Sequence, residues 1–533
     1  MLRGILTVGG WTMLSRLLGF GRDILIADLI GAGPVADAFF VANRLPNLFR
    51  RLFGEGAFNA AFVPAFATLL TSEGEASAQA FAEQAMAVMG FWLLGLTIAG
   101  EVFMPQLMAA MAPGYAAIPA KFALVVELSR ITFPYMPLIC LTALLSGVLN
   151  GLNRFAVAAA APLIYNITSI GFMLGLLGLV PTEGHALAYG VSVSGVFQLA
   201  LVVWGVRRAG MRIHLPRPRM TPRMRQLLRR MGPGLLGAGV TQLNLSVDVI
   251  IGSLLPAGTV SVLYYADRIN QLPLGTIGAA VGTALLPTLA RLVGAGDERG
   301  ARDSLNRALE YALLLTLPAA MALMICAVPI IGTLFGRGAF GAHAVMLSAQ
   351  CLAAYAIGLP AFVIVKVLVP GFFARGDTGT PVKIGMAAVA FNLALNLAFM
   401  RPFQHLGPAL ATSCAAWANV VALTVVLARR GYLLPDAAIR RRVPRMLAAA
   451  LAMGGVLWLL QVAPPPSLPI PGARWVGLAL LVGLGALGYG VAGQLFGAFD
   501  VRGVLTRLTR RRLTPAAIAS TTAPEPLPAP SVE

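Results

Sequence analysis

Charge is what this sequence has least of. Of its 533 residues only 11% are Asp, Glu, Lys or Arg, against about a quarter in an ordinary soluble domain. So little charge cannot clothe a water-exposed surface for a chain this long. The mean hydropathy of +0.80 agrees. A soluble enzyme and a soluble nucleic-acid-binding domain are thereby excluded. Acidic residues are the scarcest, 21 against 40 Lys and Arg, giving a formal net charge of +19. The pI of 10.9 would suit nucleic acid if the basic residues formed a folded patch. They fall instead in short loops between apolar runs, where they orient a chain in a membrane. Cysteine and histidine are equally sparse. Cys140, Cys326, Cys351 and Cys414 lie far apart in apolar runs and read as small buried hydrophobes, with neither metal-ligand nor disulfide spacing. His185, His214, His343 and His405 are too scattered for a catalytic dyad. With no Walker A loop and no nucleophile–base pair, neither enzymatic activity nor direct use of ATP is expected. A signal peptide is not expected either, because the first apolar stretch carries Arg16, Arg22 and Asp23.

What is present is hydrophobic length. Runs of 18 or more apolar residues are candidate membrane spans. About fourteen can be drawn, at roughly 5–30, 35–66, 84–112, 122–150, 156–180, 185–206, 233–255, 259–290, 308–335, 343–373, 381–400, 406–428, 445–463 and 474–498. The sequence therefore predicts an all-α, multi-pass membrane protein. With the N-terminus inside, the inner loops collect arginine clusters at 207–230, 291–307, 429–445 and 502–512, while the outer loops hold only Lys121, Arg337, Arg401 and Arg474. That asymmetry predicts both termini in the cytoplasm. The Pro/Ala/Thr-rich tail reads as disordered.

The chain repeats itself. Asp23-Ile-Leu-Ile, with Ala32-Gly33 following, matches Asp248-Val-Ile-Ile, with Ala257-Gly258 following. Phe39-Phe40 matches Tyr264-Tyr265, Ala42-Asn-Arg44 matches Ala266-Asp-Arg268, and Ala61-Phe-Val-Pro64 matches Ala284-Leu-Leu-Pro287. The offset stays near about 224, as a duplicated six-span unit requires. An even unit gives both halves the same orientation and a pseudo-two-fold axis along the membrane normal. The expected organisation is an N-lobe at 1–208, a basic linker at 209–230 and a C-lobe at 231–430. Two further spans follow at 431–499, and a basic, then disordered tail at 500–533.

Ionisable residues inside spans are costly and mark cavities or partners. Here they concentrate early: Arg16, Arg22 and Asp23 on the first span, then Asp37, Arg44, Arg50, Arg51 and Glu55 on the second. Arg268, on the eighth, is the repeat mate of Arg44. Arg44, Arg50 and Arg51 either snorkel to the cytoplasmic interface or face a cavity. Arg16 and Arg22, flanked by leucine and isoleucine, read as cavity residues. An excess of arginine over carboxylate calls for an anionic substrate, and the guanidinium suits phosphate. A second group is rich in oxygen: Asp248, Asn392, Asn396 and Thr412, with a backbone carbonyl freed near Pro408. These are hard ligands suited to a small cation, or else interhelical hydrogen bonds.

The blocks Ser15-Arg-Leu-Leu-Gly-Phe-Gly-Arg-Asp23, Ala36-Asp-Ala-Phe-Phe40, Leu45-Pro-Asn-Leu-Phe-Arg-Arg51, Glu55-Gly-Ala-Phe58 and Ala61-Phe-Val-Pro64 resemble the MurJ (MviN) lipid II flippase family of the MOP exporter superfamily. Tyr264-Tyr-Ala-Asp-Arg268 and Gly376-Asp-Thr-Gly-Thr-Pro381 resemble it too. The resemblance runs the length of the chain before the tail. It implies translocation of lipid II, an undecaprenyl-pyrophosphate-linked disaccharide-peptide, across the bacterial inner membrane by alternating access. It assigns Arg16, Arg22, Arg268 and Arg50 to the cavity, with Arg51, Asp23, Asp37 and Glu55 beside them. It gives the last two spans a groove for the prenyl tail. Asp248, Asn392, Asn396, Pro408 and Thr412 resemble a sodium site, although Asn396 stands where a carboxylate can occur. No cofactor beyond a coupling sodium ion is implied. The partners implied are lipid II, membrane lipids and other cell-wall synthesis proteins, with no nucleic acid and a monomeric state. The competing readings are a MOP-type exporter of another polyprenyl-linked glycan or drug, and a membrane scaffold.

Overall fold

The structure is a computed structural model that describes residues 2–51, 57–462 and 473–499. The protein is an all-α, polytopic membrane protein. The described residues contain no strand, and ten of their helices are long and apolar enough to cross a membrane. The first half contains α1 (Leu2–Ile30), α2 (Pro34–Ala42), α3 (Arg44–Phe49), α4 (Ala57–Ser72), α5 (Glu75–Val102), α6 (Met104–Met111), α7 (Pro119–Thr132), α8 (Tyr135–Gly151), α9 (Phe155–Gly175) and α10 (Glu183–Arg208). The second contains α11 (Pro222–Ser253), α12 (Thr259–Gly294), α13 (Glu298–Ile325), α14 (Ala327–Leu334), α15 (Ala342–Phe373), α16 (Gly379–Phe399) and α17 (Gly407–Arg429). Then come α18 (Ala437–Val462) and α19 (Ala473–Leu495), which pack on α13.

The second expected run, 35–66, is not one helix. Pro46 lacks an N–H and crowds the carbonyl four residues earlier. That carbonyl belongs to Ala42, where α2 ends. It accepts instead from the Thr132 hydroxyl at 3.3 Å. The resulting break turns Arg44, Asn47 and Arg50 along a short separate helix. The linker also differs from its expected form. Residues 211–221 run without helix along the start of α5. Gln79 and Gln84 donate to the Arg212 and Arg219 carbonyls, and the His214 amide donates to Glu83. Thr221 then caps α11, accepting from the Met224 amide with Pro222 in the first turn. The helix thus starts well before the expected span. Among the cysteines, Cys140, Cys326 and Cys351 are buried as expected, but Cys414 is exposed. It shares an outward face of α17 with Trp417 and Val421.

The two halves share one core at one end of the bundle; at the other their cores separate, with the start of α11 packed on α4 and α5. The end where α1 finishes is here called the far end. There a single apolar cluster draws on both halves, including Phe39, Val41, Tyr265, Phe335 and Phe340. Toward the near end the core divides. One cluster holds Phe62, Phe66, Leu145 and Val206 of the first half with Met224, Leu227 and Met231 from the start of α11, and another holds Leu289, Leu305, Val367 and Leu427 of the second. The far-end seal is made by two repeat-related helices, α2 and α12, which begin at Pro34 and Thr259. Asp37 and Ser261 are 224 positions apart and bonded twice, from the Ser261 amide (2.9 Å) and hydroxyl (2.6 Å). Phe40 stacks on Tyr264, the repeat mate of its neighbour Phe39, with ring centroids 3.9 Å apart. Helices related by the pseudo-two-fold touch near the axis, so these contacts between α2 and α12 locate it. Two loops complete the seal reciprocally. The Gly114 amide donates to Ser253 Oγ at the end of α11, and the Ala339 amide donates to the Asp28 carbonyl near the end of α1. Neither Gly114 nor Gly338 has room for a Cβ against these helix ends.

Candidate functional site

A cavity of about 490 Å³ lies between the halves, on the near side of the Phe40–Tyr264 stack. Its walls come from α1 to α3, α8 to α12 and the short break after α2. Arg16, Arg22, Arg44, Arg50, Arg51 and Arg268 all line it, and Asp267 is the carboxylate in the lining. Asp23 stands behind the lining, fully buried, between two arginines. Arg22 Nη2 reaches Asp23 Oδ1 at 2.8 Å. Arg268 Nε lies 2.5 Å from Oδ2 as an ion pair, without the alignment of a hydrogen bond. The Tyr264 hydroxyl adds a bond to Oδ1 at 3.3 Å. Arg22 also lies over the Tyr165 ring, 4.9 Å from its centroid. Gly19 makes the crossing possible. A methyl group there would stand 3.3 Å from Arg268 Nη2, so α1 leaves a gap through which the guanidinium of α12 reaches Asp23.

One carboxylate between two guanidinium groups leaves a positive remainder. Arg16, Arg44, Arg50 and Arg51 add to it. Their donors are positioned by neutral partners where the contacts are seen: Arg50 Nε donates to Asn47 Oδ1 at 3.2 Å, and Asn47 donates back to the Asn43 carbonyl. In a low-dielectric enclosure such a surplus binds an anion far more strongly than water allows. The planar fork of arginine matches phosphate oxygens two at a time.

Of the expected site residues, Arg16, Arg22, Arg50, Arg51 and Arg268 line this cavity and Asp23 organises it. Glu55 lies outside the described residues. Asp37 is elsewhere, in the far-end seal, because it binds the first turn of α12, the repeat-related helix. It accepts from the Gly258 amide at 2.7 Å and from Ser261, and pairs with Lys121 Nζ at 2.8 Å. Lys121, expected in an outer loop, is buried in the first turn of α7 beneath the Tyr115 ring. Arg44 faces the cavity rather than the interface, a placement its repeat match to Arg268 already suggested. Asp267 and Gln271, hydrogen-bonded to each other, were missed. Their signal was the helical spacing from Tyr264.

The oxygen-rich group also converges. Asn392 Nδ2 donates to Thr412 Oγ1 at 3.0 Å, and Thr412 donates to Asp248 at 3.1 Å. Asn396 Nδ2 donates to Asn392 Oδ1 at 2.9 Å. Asn396 Oδ1 is buried without a hydrogen-bond partner. Pro408 is buried at the start of α17 and makes no polar contact with this group among the described residues. A third feature is an apolar groove of about 890 Å³ between α14–α15 and α18–α19, lined by Val345, Met346, Leu460, Leu478, Leu481 and Leu484.

Comparison with known proteins gives one answer. The family profile described as "Lipid II flippase MurJ" matches residues 26–466. The probable lipid II flippase MurJ of Rhizobium tropici is 42% identical over 97% of this chain and 98% of its own length. The lipid II flippase MurJ of Burkholderia cenocepacia is 35% identical over 86% of this chain and 89% of its own. A solved structure of lipid II flippase MurJ in an inward closed conformation shares the fold, with a TM-score of 0.76 at 24% identity over 92% of this chain and 98% of that one. An inward-facing multidrug resistance MATE transporter of the MOP superfamily shares it at 0.65, with 16% identity over 80% and 98%. Profile, relatives and fold agree: the chain belongs to the MurJ family of lipid II flippases.

Proposed function

We propose that this protein carries lipid II from the inner to the outer leaflet of the bacterial cytoplasmic membrane, holding its pyrophosphate in the arginine cavity. The observation that carries the reading is the surplus of guanidinium groups around buried Asp23, inside a membrane-spanning bundle. Arg22, Arg268 and Arg16 take the phosphate oxygens. Asp23 holds Arg22 and Arg268 at one spacing while the cavity is empty, and yields them as the anion arrives. The uneven distribution of basic loops sets the near end and both termini in the cytoplasm. A seal at the far end and a divided core at the near end then describe a carrier open to the cytoplasm. Exchange between this form and its opposite requires the far-end pairs to part and the near-end clusters to meet. The prenyl tail, too long to enclose, runs in the apolar groove beside α18 and α19. The oxygen group of Asp248, Asn392, Asn396 and Thr412 suits a coupling sodium ion, and the orphaned Asn396 Oδ1 is the oxygen such an ion satisfies.

The test is complementation. Cells depleted of their own flippase and expressing this chain should present lipid II on the outer leaflet. Arg268→Ala or Arg22→Ala, present at wild-type level in the membrane, should abolish that signal. Rescue by either variant would refute the arginine cavity. Failure of a stably inserted wild type would refute lipid II as the substrate.

A further inference from the structure

One cation in the membrane-spanning part of the C-lobe is not used by the cavity. Lys366 lies on α15 and is exposed. No carboxylate or other hydrogen-bonding partner meets its ammonium among the described residues. Its side chain runs along α12. A methyl group at Gly278 would stand 2.7 Å from Lys366 Cδ and 3.0 Å from Nζ. About one turn earlier, a methyl group at Gly275 would stand 3.8 Å from Arg16 Nη1. Helical geometry places positions 264, 268, 271, 275 and 278 on one face. From the far end toward the near end, that face of α12 shows Tyr264, Arg268 and Gln271. Then come two glycines, crossed by Arg16 from α1 and by Lys366 from α15. Cβ positions three apart on a helix are about 5–6 Å apart, so Arg16 Nη1 and Lys366 Nζ are separated by at most about 13 Å. The rise from Arg268 to Gly278 is about 15 Å. Three cations from three helices therefore mark successive levels of one helix face.

We propose that Lys366 is the first cation to meet the substrate's pyrophosphate, passing it along α12 to Arg16 and then to the Arg22–Asp23–Arg268 centre. The proposal rests on the flippase reading and deepens it. A diphosphate leaving the hydrated headgroup layer needs counter-charge before it reaches the cavity centre, and the two glycines let the Lys366 and Arg16 side chains lie close against α12 along that path. The division of labour fits the chemistry. An ammonium on a flexible stem is a hydrated point charge suited to brief contact, whereas the arginine fork suits a held anion. A lysine that merely snorkels to the interface would have no such part in capture.

The experiment measures association and dissociation of lipid II with the full chain in phosphatidylcholine nanodiscs, across a range of salt concentrations. A charge on the approach path acts on the association rate and its salt dependence. Lys366→Gln should slow association about five-fold and flatten its salt dependence, leaving dissociation within about two-fold of wild type. Lys366→Arg should associate as wild type does. Gly278→Ala keeps the lysine but displaces it, and should behave as Lys366→Gln does. It also carries the test should Lys366→Gln fail to fold. Wild-type association rates in Gly278→Ala and Lys366→Gln would overturn the proposal, as would equal slowing by Lys366→Arg and Lys366→Gln. A wild type that binds no lipid II overturns the flippase reading and this proposal together. A wild type that binds, with unchanged variants, overturns this proposal alone.

Discussion

Asp37→Asn isolates the far-end seal. Asp37 accepts three bonds across the pseudo-two-fold, from the Gly258 amide, the Ser261 amide and the Ser261 hydroxyl. Its fourth partner, Lys121, belongs to its own half and moves with it. Loss of the Lys121 pair therefore weakens both conformations alike and cancels in the equilibrium between them. The three crossing bonds do not cancel. Hydrogen bonds to a charged group contribute about 1.5–3 kcal/mol, and neutral ones about 0.5–1.5. An asparagine that keeps its oxygen toward Ser261 turns its amide toward Gly258, donor against donor. One charged bond is lost and two become neutral. The sealed form should lose about 5 kcal/mol, which is three to four orders of magnitude in the conformational ratio at about 1.4 kcal/mol per factor of ten. The assay is pulsed electron paramagnetic resonance between spin labels at Ile118 and Leu254, exposed positions of opposite halves at the far end. Exposed Cys414 must first be replaced. The wild type should give one short distance and Asp37→Asn a dominant longer one. An unchanged distribution in Asp37→Asn would refute the role of these bonds. So would a larger shift in Ser261→Ala, which removes only one of them.

Gly338→Ala should open the same pair of labels, because φ is +49° there and a Cβ would meet the Asp28 backbone. Gly376→Ala, at φ +76° but in open space, should cost only about 1 kcal/mol of stability and leave the distance alone. Glu310→Gln should loosen the anchor between α13 and α18, where buried Glu310 holds Arg307 at 2.8 Å and Arg442 at 2.5 Å. The arginines are half-exposed, so a loss of about 1–2 kcal/mol in thermal unfolding is expected. Asp377 is pushed down to about 2 by the Thr380 hydroxyl and amide and by Arg430. A carboxyl lowered in the folded state stabilises above its unfolded pKa and loses that contribution as pH falls through the folded value. The protection of the amides around 376–380, taken relative to their intrinsic exchange rate at each pH, should therefore be high above about pH 4 and fall toward pH 2, and Asp377→Asn should give low protection throughout.

Hydrophobic length made the spans legible, because a membrane core imposes its thickness on the sequence directly. The interruption at Pro46 was visible as a proline but not as a consequence. It took the Thr132 hydroxyl, distant in sequence, to show that the freed Ala42 carbonyl is satisfied. Arg16, Arg22 and Arg268 could be placed because charge in an apolar run has few tolerable surroundings. Lys121 could not, since a lysine near a helix start reads as solvated until its buried partner is known. Asp37 illustrates the same limit. Its type and position suggested the cavity, and only its bonds to Gly258 and Ser261 in the other half show that it bridges the axis. Asp267 was masked by its own neighbour, Arg268, whose charge dominated the motif.

The reciprocal docking at the far end has a further meaning. Gly114 of the first half seats on the end of α11, and Gly338 of the second seats near the end of α1. Asp37 of α2 meets Ser261 of α12, the helix that the repeat relates to it. In a two-fold dimer this is an isologous interface, where each subunit offers the same patch to the other. The single chain retains the contact logic of two identical subunits while letting each side of it diverge. One side now offers the Asp37 carboxylate across the axis to Gly258 and Ser261, and the matching stretch of α12 carries no carboxylate, so the two arms of the clasp differ in strength though they share a geometry. Such a clasp releases in a fixed order, the weaker arm first, and a symmetric assembly of equal arms has no means to set that order.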